Sequence, residues 1–355
     1  MASTPAKLPI RGRASLSPSP RPSSSPVATS IKIRGPGITT LPFTTLDVFT
    51  STRYLGNPLA VVSVPASMGK HALTQAMKQR IAREFNLSET VFLHEPDTTE
   101  TDTIDIDIFV TDAEIPFAGH PTIGSAYLLL RERRLGHIRA LRTKAGEIPI
   151  EPQALSEVGA VNAEIPHDVH VHAGTVGDLQ PEPQWLSADA NIRTAERFAP
   201  LVSIVQGMAF LLVELETLDQ LAKVRPATTQ LVSSGLLDEG DWGQGFVGRY
   251  YYVPGEEKDG IVPIRARMVE EVIEDPATGS AASALACYLT MLKAGEGGKS
   301  GGSTKYQITQ GVEMGRESVI DVEVKLGWDS DGDDIIEQVM LGGTAVVVMK
   351  GNIVI

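Results

Sequence analysis

Cysteine is almost missing from this chain of 355 residues, which contains only Cys287. A single thiol excludes a disulfide framework within one chain and any metal site built from a cysteine cluster. No apolar run approaches the roughly 20 residues that span a bilayer. Aromatic side chains make up only 5% of the sequence, against 42% for all hydrophobic residues. We therefore expect a soluble globular protein with an aliphatic core, divided into about two domains.

Acidic side chains are absent from residues 1–46, which carry six basic ones. The remainder holds 25 basic and 44 acidic residues, so the body of the protein is more acidic than the net charge of −13 indicates. Such a body repels phosphate backbones and anionic lipid surfaces, and we expect neither nucleic acid nor membrane as a partner. Any anionic substrate must be held by local geometry, because the overall field opposes its binding.

Residues 1–38 are predicted to be a tail outside the fold. Residues 15–26 are rich in serine and proline and nearly free of large apolar side chains, so burial cannot repay the entropy of ordering them. An acid-poor start with arginine and serine is also typical of organelle transit peptides, although the prolines from Pro18 to Pro26 break any amphipathic helix. Two interpretations stay open: a disordered tail on a cytoplasmic protein, or a cleaved targeting segment.

Sequence signatures of nucleotide and metal sites are also missing. No Gly-x-Gly-x-x-Gly follows a predicted strand, and no Gly-x-x-x-x-Gly-Lys-Ser/Thr occurs. His170 and His172 could face one side of a strand, but two imidazoles without a third ligand do not define a metal site. The sequence therefore predicts a protein without metal or cofactor.

The order of predicted strands and helices occurs twice. Strands are predicted from residue 43 onward, followed by an apolar helix that begins near Pro121 and runs through Leu130. More strands then precede a second apolar helix over residues 277–293. The pattern favours an α/β (α+β) fold of two pseudo-symmetric domains, residues 39–165 and 166–342, with 343–355 as a candidate strand to complete the first.

Both apolar helices begin in loops of small residues, Gly119–Ala126 and Asp275–Ala282. Glycine lets a ligand approach the backbone closely, and the free N–H groups of a first helical turn attract anions. Small residues could also serve only close packing, but two matching loops favour a clasp for a substrate carboxylate. The predicted substrate-binding residues are Gly119, Thr122, Gly124, Thr278 and Gly279.

Three titratable residues accompany these loops. Glu89 leads directly into a predicted buried strand, where desolvation would raise its pKa toward that of a useful acid/base; the alternative is an exposed glutamate at a strand end. His120 lies in the loop that begins the first helix and is either catalytic or a structural histidine. Asp275 precedes Pro276 and could be a helix N-cap or a catalytic group.

Six segments together resemble the PhzF-like phenazine-biosynthesis family. They occur in the expected order and span residues 46–316: Leu46–Phe49, Gly56–Val62, Phe85–Phe92, Glu114–Gly124, Glu274–Ala281 and Gln310–Arg316.

The resemblance implies a diaminopimelate-epimerase-like fold, in which each domain wraps a strongly curved, mostly antiparallel sheet around a central helix and the active site lies between the domains. It further implies a homodimer without cofactor that isomerises a dihydro-hydroxyanthranilate by shifting a proton between carbons. The family's acid/base glutamate matches Glu89, and its active-site histidine, aspartate and serine match His120, Asp275 and Ser280.

The single Cys287 excludes the two-thiol mechanism of related racemases. The expected function is thus a cofactor-independent isomerase acting on a small carboxylate-bearing metabolite with Glu89 as acid/base. The alternatives are an acid-triggered cyclase or dehydratase, and a catalytically silent protein that binds a small acid.

Overall fold

The computed structural model describes residues 39–69, 73–98, 100–153, 159–226, 235–270, 273–295 and 302–355, so the predicted tail lies outside the described residues. The helices in these ranges are α1 (Gln75–Phe85), α2 (Gly119–Tyr127), α3 (Ala190–Phe198), α4 (Leu218–Lys223) and α5 (Gly279–Gly295). The strands of the first half are β1 (Thr40–Val48), β2 (Asn57–Val64), β3 (Thr90–His94), β4 (Thr103–Phe109), β5 (Glu114–Ile115), β6 (Ala140–Thr143), β7 (Gly146–Pro152) and β8 (Val161–Glu164). Those of the second half are β9 (His170–Val171), β10 (Leu201–Val205), β11 (Gly207–Glu214), β12 (Gly245–Pro254), β13 (Ile261–Glu270), β14 (Ile273–Asp275), β15 (Ser303–Gln310), β16 (Ser318–Trp328), β17 (Asp334–Gly343) and β18 (Ala345–Val354).

Strand pairing follows the same pattern in both halves. In the first, β1–β2 is antiparallel, β2–β3 parallel, β3–β4 antiparallel, β4–β6 parallel, and β6–β7 and β7–β8 antiparallel. In the second, the pairs β10–β11, β11–β12, β12–β13, β13–β15, β15–β16 and β16–β17 repeat these directions in order. The short strands β5 and β14 pair with β4 and β13, and each directly precedes an apolar helix. This repetition is the pseudo-symmetry expected from the sequence.

The two halves exchange strands at their edges. Strand β8 of the first half pairs with β17 of the second. Strand β18, at the end of the chain, pairs with β1 from Thr40↔Val354 to Val48↔Ala345. The segment that was a candidate to complete the first sheet therefore lies at its edge.

Helices α2 and α5 occupy the interior of the two sheets. Helix α2 packs on strands β1, β2, β3, β8, β17 and β18, and α5 on β10, β11, β15, β16 and β17. Both helices are apolar on all sides, as is typical of buried helices, and both contribute to the largest hydrophobic cluster. The predicted fold class is confirmed.

Helix α2 begins two residues earlier than predicted. Its first residue is Gly119, and Pro121 lies within the first turn, where the missing N–H would have no partner in any case. The predicted continuation through Leu130 is a wider, π-helical turn over Leu128–Glu132.

Candidate active site

Glu89 lies where the chain passes from α1 into β3. Helix α1 ends at Phe85, and the left-handed conformation of the capping residue Asn86 (φ 51°) turns the chain back toward the sheet. Thr90, the first residue of β3, then pairs with Ala60 of β2 and Phe109 of β4. Glu89 therefore lies directly before a buried strand, as predicted.

The carboxyl group of Glu89 is only 16% exposed. Burial raises the pKa of Glu89 to about 7, against the opposing effect of a hydrogen bond with Ser88. Its buried Oε2 has no hydrogen-bond partner among the described residues. A carboxyl group with a pKa close to neutrality can both accept and return a proton.

His120 is the second residue of α2, and its side chain is 5% exposed. Its Nδ1 lies 3.4 Å from Oε2 of Glu89 and 3.5 Å from Nδ2 of Asn57. Burial lowers the pKa of His120 to about 4, although the charge of Asp275 opposes that effect. The imidazole is therefore neutral near pH 7, and its contact with Glu89 is not an ion pair. Its buried Nε2 has no partner in the described part of the chain.

Asp275 ends β14, four residues before α5 begins. Its Oδ1 accepts a hydrogen bond from Nδ2 of Asn57 at 2.9 Å, and its Oδ2 accepts one from the hydroxyl of Thr278. Burial and the neighbouring charge of Glu89 raise the pKa of Asp275 to about 7, against opposing effects of His120, Thr278 and Asn57. The charge of an ionised Glu89 therefore disfavours ionisation of Asp275.

Asn57 links these groups and was not among the predicted site residues. It is 1% exposed and begins β2. Its Nδ2 donates to Asp275 and, at 2.9 Å, to the carbonyl oxygen of Ala277, while its Oδ1 accepts from Ser88 at 3.4 Å. Asn57 lies in the segment Gly56–Val62, and only its place in that family motif could have pointed to a role in the site.

Gln310 fixes the loop that leads into α5 and was also missed. Its Nε2 donates to the carbonyl oxygen of Asp275 at 2.8 Å and to the hydroxyl of Thr278 at 3.1 Å. Its Oε1 accepts from the backbone N–H of Thr278 at 3.2 Å and from the hydroxyl of Tyr250 at 3.1 Å. This fully buried amide therefore holds the loop that carries Asp275.

The N-terminal ends of α2 and α5 meet at two glycines. A Cβ added to Gly119 would lie 3.0 Å from Cα of Gly279, so only glycine allows this approach. Ser280 follows Gly279 as His120 follows Gly119, and Ser280 is 9% exposed. The first-turn N–H groups of both helices are therefore close together, which suits an anionic ligand.

Two other predicted binding residues lie deeper in α2. The hydroxyl of Thr122 donates to the carbonyl oxygen of Ala118 at 2.8 Å, and Thr122 is fully buried. A Cβ on Gly124 would lie 2.5 Å from the side chain of Leu59. The contacts of Thr122 and Gly124 are thus with the helix and with β2.

Cys287 is buried inside α5, and burial raises the pKa of its thiol to about 12. The thiol is therefore protonated at neutral pH and unsuited to proton abstraction. Within the part of the chain that the structure describes, no helix has the length and apolar character needed to cross a membrane.

The chain is similar to known proteins over most of its length. The model of the family described as "Phenazine biosynthesis-like protein" matches residues 46–351. An uncharacterized isomerase of Mesorhizobium japonicum is 33% identical over 324 residues, covering 87% of this chain and 97% of that protein. The trans-2,3-dihydro-3-hydroxyanthranilate isomerase of Pseudomonas fluorescens is 30% identical over 319 residues, covering 87% of this chain and 98% of that enzyme.

Solved structures show the same fold. The PhzF-family phenazine biosynthesis protein of Bacillus anthracis superposes with a TM-score of 0.66 at 22% identity, over 90% of this chain and all of that one. A hydroxyproline epimerase of Agrobacterium vitis superposes with a TM-score of 0.52 at 16% identity, over 89% of this chain and 93% of that one. The chain belongs to the phenazine biosynthesis-like family, and it is an isomerase.

Proposed function

We propose that this isomerase shifts a proton between two carbons of a small carboxylate-bearing metabolite without a cofactor, with Glu89 as the acid/base. The observation that carries this proposal is the buried Oε2 of Glu89, which lacks a hydrogen-bond partner among the described residues and lies beside the neutral ring of His120.

Three side chains have distinct roles in the proposed reaction. The ionised carboxylate of Glu89 removes a proton from the substrate carbon, and the electron pair moves into the adjoining unsaturated system. The protonated Glu89 then returns the proton to a second carbon, so that neither the enzyme nor the substrate formula changes overall. The neutral His120 and the Asp275 carboxyl group assist the gain and loss of the proton by Glu89. Proton transfer by one positioned group typically accelerates a reaction by about 10²–10⁴-fold.

The substrate carboxylate is placed where the first turns of α2 and α5 meet. The N–H groups that follow Gly119 and Gly279, with the side chains of Thr278 and Ser280 beside them, form a compact anion site in an otherwise acidic protein. Donors of this kind stabilise negative charge that develops in the transition state. Thr122 and Gly124 would support this site by packing, as their contacts within α2 and with Leu59 indicate.

The proposal also covers the domain division, the assembly and the location of the protein. The repeated strand pairing supports a division near residue 165, with β18 belonging to the first half. A homodimer and a cytoplasmic location are proposed from the family resemblance and the acidic body of the chain.

The test offers the substrate of the Pseudomonas relatives, trans-2,3-dihydro-3-hydroxyanthranilate, to the wild-type protein and to Glu89→Gln. Glutamine keeps the shape but cannot exchange a proton, so turnover should fall at least about 100-fold while ligand binding survives. The exposed Glu84, on α1, provides a matched control as Glu84→Gln.

The outcome separates substrate from mechanism. If wild type is inactive on this compound, a thermal-shift screen of small cyclic and amino carboxylates should identify one that stabilises the native state. Turnover of Glu89→Gln near the wild-type rate would assign the acid/base role to another group. A protein that binds a carboxylate but converts none of the compounds it binds would be the silent binder instead.

A further inference from the structure

We propose that His170, His172 and Asp238 form a binding site for a divalent transition-metal ion of the Zn²⁺ type. Each residue offers one ligand atom, and the three atoms lie within 4.8 Å of one another. The two histidines alone were insufficient evidence in the sequence, and the fold supplies the third ligand from a segment 66 residues further along the chain.

His170 lies in β9, and His172 directly follows this strand with its backbone N–H bonded to the carbonyl oxygen of Leu201 at 2.9 Å. Residues two apart on a strand point to the same side, and the centroids of the two imidazole rings lie 4.8 Å apart. Strand β9 is fixed to β10 by the pairs Val202↔Val171 and Ser203↔His170. The two rings therefore have a defined spacing before any ion binds.

The distances between the ligand atoms suit a tetrahedral ion. With zinc–ligand bonds of about 2.0–2.1 Å, neighbouring ligand atoms are about 3.3 Å apart. Nε2 of His170 lies 2.8 Å from Oδ2 of Asp238, and Nδ1 of His172 lies 3.9 Å from the same oxygen. These two distances lie on either side of the required value. The two histidine nitrogens are separated by up to 4.8 Å, so an ion would have to draw the two rings closer together.

His172 is already in the tautomer that binds a metal. Its Nδ1 accepts a hydrogen bond from the backbone N–H of Asp238 at 3.0 Å, so the lone pair of this nitrogen points toward the Asp238 segment. Its Nε2 lies 2.9 Å from the hydroxyl of Ser203, which then accepts the ring proton. A metal ligand whose other ring nitrogen is held by an outer partner is the usual arrangement for histidine. Coordination at Nδ1 would require the backbone N–H of Asp238 to move away from this nitrogen, so the Asp238 segment would shift when an ion binds.

The surroundings leave room for a fourth ligand. The side chain of His172 is fully buried, whereas those of His170 and Asp238 are 31% and 33% exposed. Trp242 stacks on His170 with ring centroids 4.6 Å apart and an angle of 11° between the planes, which restrains that ring. A water molecule can therefore complete the coordination from the exposed side. Imidazole and carboxylate ligands without thiolate are compatible with Zn²⁺ and its neighbours.

An ion bound at this position would cross-link the segment around Asp238 to β9. The hydrogen bonds of these three side chains run to one another, to Ser203 and to the backbone of residues 173 and 238. The site is therefore separate from the groups of the proposed proton transfer.

The test titrates the chelator-stripped full-length protein with Zn²⁺ by calorimetry and with Co²⁺ by visible absorption. Wild type should bind one ion per chain, and Co²⁺ should give the intense bands of tetrahedral coordination. Asp238→Asn keeps the backbone donor and an acceptor oxygen for His170 but removes the charged ligand. This variant and His170→Gln should weaken binding by more than the roughly 10-fold cost of losing an outer-shell partner.

The exposed His137 serves as the control, because His137→Gln removes an imidazole outside the cluster. Its affinity and stoichiometry should equal those of wild type. Absence of Zn²⁺ binding, or binding that Asp238→Asn and His170→Gln leave unchanged, would overturn the proposal and leave His170 and Asp238 as a hydrogen-bonded pair.

Discussion

At the scale of single residues, the burial of Glu89 raises the pKa of its carboxyl group and makes the stability of the protein depend on pH. This pKa is raised from 4.5 to about 7 because burial disfavours the ionised carboxylate. The native state therefore binds the proton more tightly than the unfolded chain does. Stability from this group is fully present below the unfolded pKa and is lost as pH rises through about 7.

Glu89→Gln should remove the loss of stability that Glu89 causes as the pH rises. The variant should gain stability relative to wild type between pH 5 and pH 8, with an upper limit of about 3 kcal/mol from the size of the pKa shift. Thermal unfolding of both proteins at the two pH values measures the difference, and Glu84→Gln should show none. A constant difference between wild type and Glu89→Gln at both pH values would mean that Glu89 is not desolvated as described.

Asn57 should act as a positioning residue through Asp275. Asn57→Ala removes the amide that stabilises the ionised form of Asp275, so the pKa of that carboxyl group should rise further. The pH at half-maximal kcat/KM should move upward, and kcat should fall about 10-fold or more. The pH–rate profile checks this, with Asn191→Ala on the exposed side of α3 as control. An unshifted profile with lower activity would indicate a purely structural role.

Residue types pointed to the titratable residues of the candidate site better than to the residues that contact them. His120 and Asp275 could be singled out because they lie at loops of small residues, and Glu89 because it precedes a predicted buried strand. Asn57 and Gln310 could not, because an amide acquires its role only from contacts with residues more than 30 positions away.

At the scale of elements, the close approach of α2 and α5 defines the candidate site. Both helices begin with glycine where the other helix blocks a side chain. The sequence predicted two matching loops, but their contact depends on the pairing of β8 with β17, which joins the two halves. Local periodicity of the chain carries no information on that pairing.

Gly279→Ala should push the N-terminal ends of α2 and α5 apart. The added methyl group would lie 2.9 Å from Leu341 and 3.2 Å from Cα of Gly119, and backbone cannot move aside as a side chain can. Overpacking of this kind costs about 1–3 kcal/mol, whereas alanine for glycine in an unobstructed helix gains up to about 1 kcal/mol. Urea denaturation should therefore show a net loss of stability, together with reduced activity.

Gly136→Ala is the control for this substitution, because a Cβ at Gly136 meets nothing within 4 Å. It should leave both stability and turnover close to wild type. Increased stability of Gly279→Ala, with normal activity, would show that the first turns of the two helices are farther apart than described.

At the scale of the whole molecule, the composition of residues 1–38 predicts a tail outside the fold. Their serine, proline and basic residues provide little apolar surface for packing. Deleting residues 1–38 should leave the melting temperature and the oligomeric state unchanged, as calorimetry and light scattering can measure. A markedly lower melting temperature would place part of this segment within the folded body.

The pairing of β18 with β1 also affects how the protein is made. Strand β1 is translated long before its neighbour β18, which is among the last segments of this sequence to leave the ribosome. Strand β1 of the first sheet therefore remains unpaired on one side while the second half is synthesised. An unpaired edge strand readily pairs with other chains. Translation that stops before residue 345 would release a nearly complete polypeptide whose first strand still lacks its neighbour, and aggregation would be its expected fate.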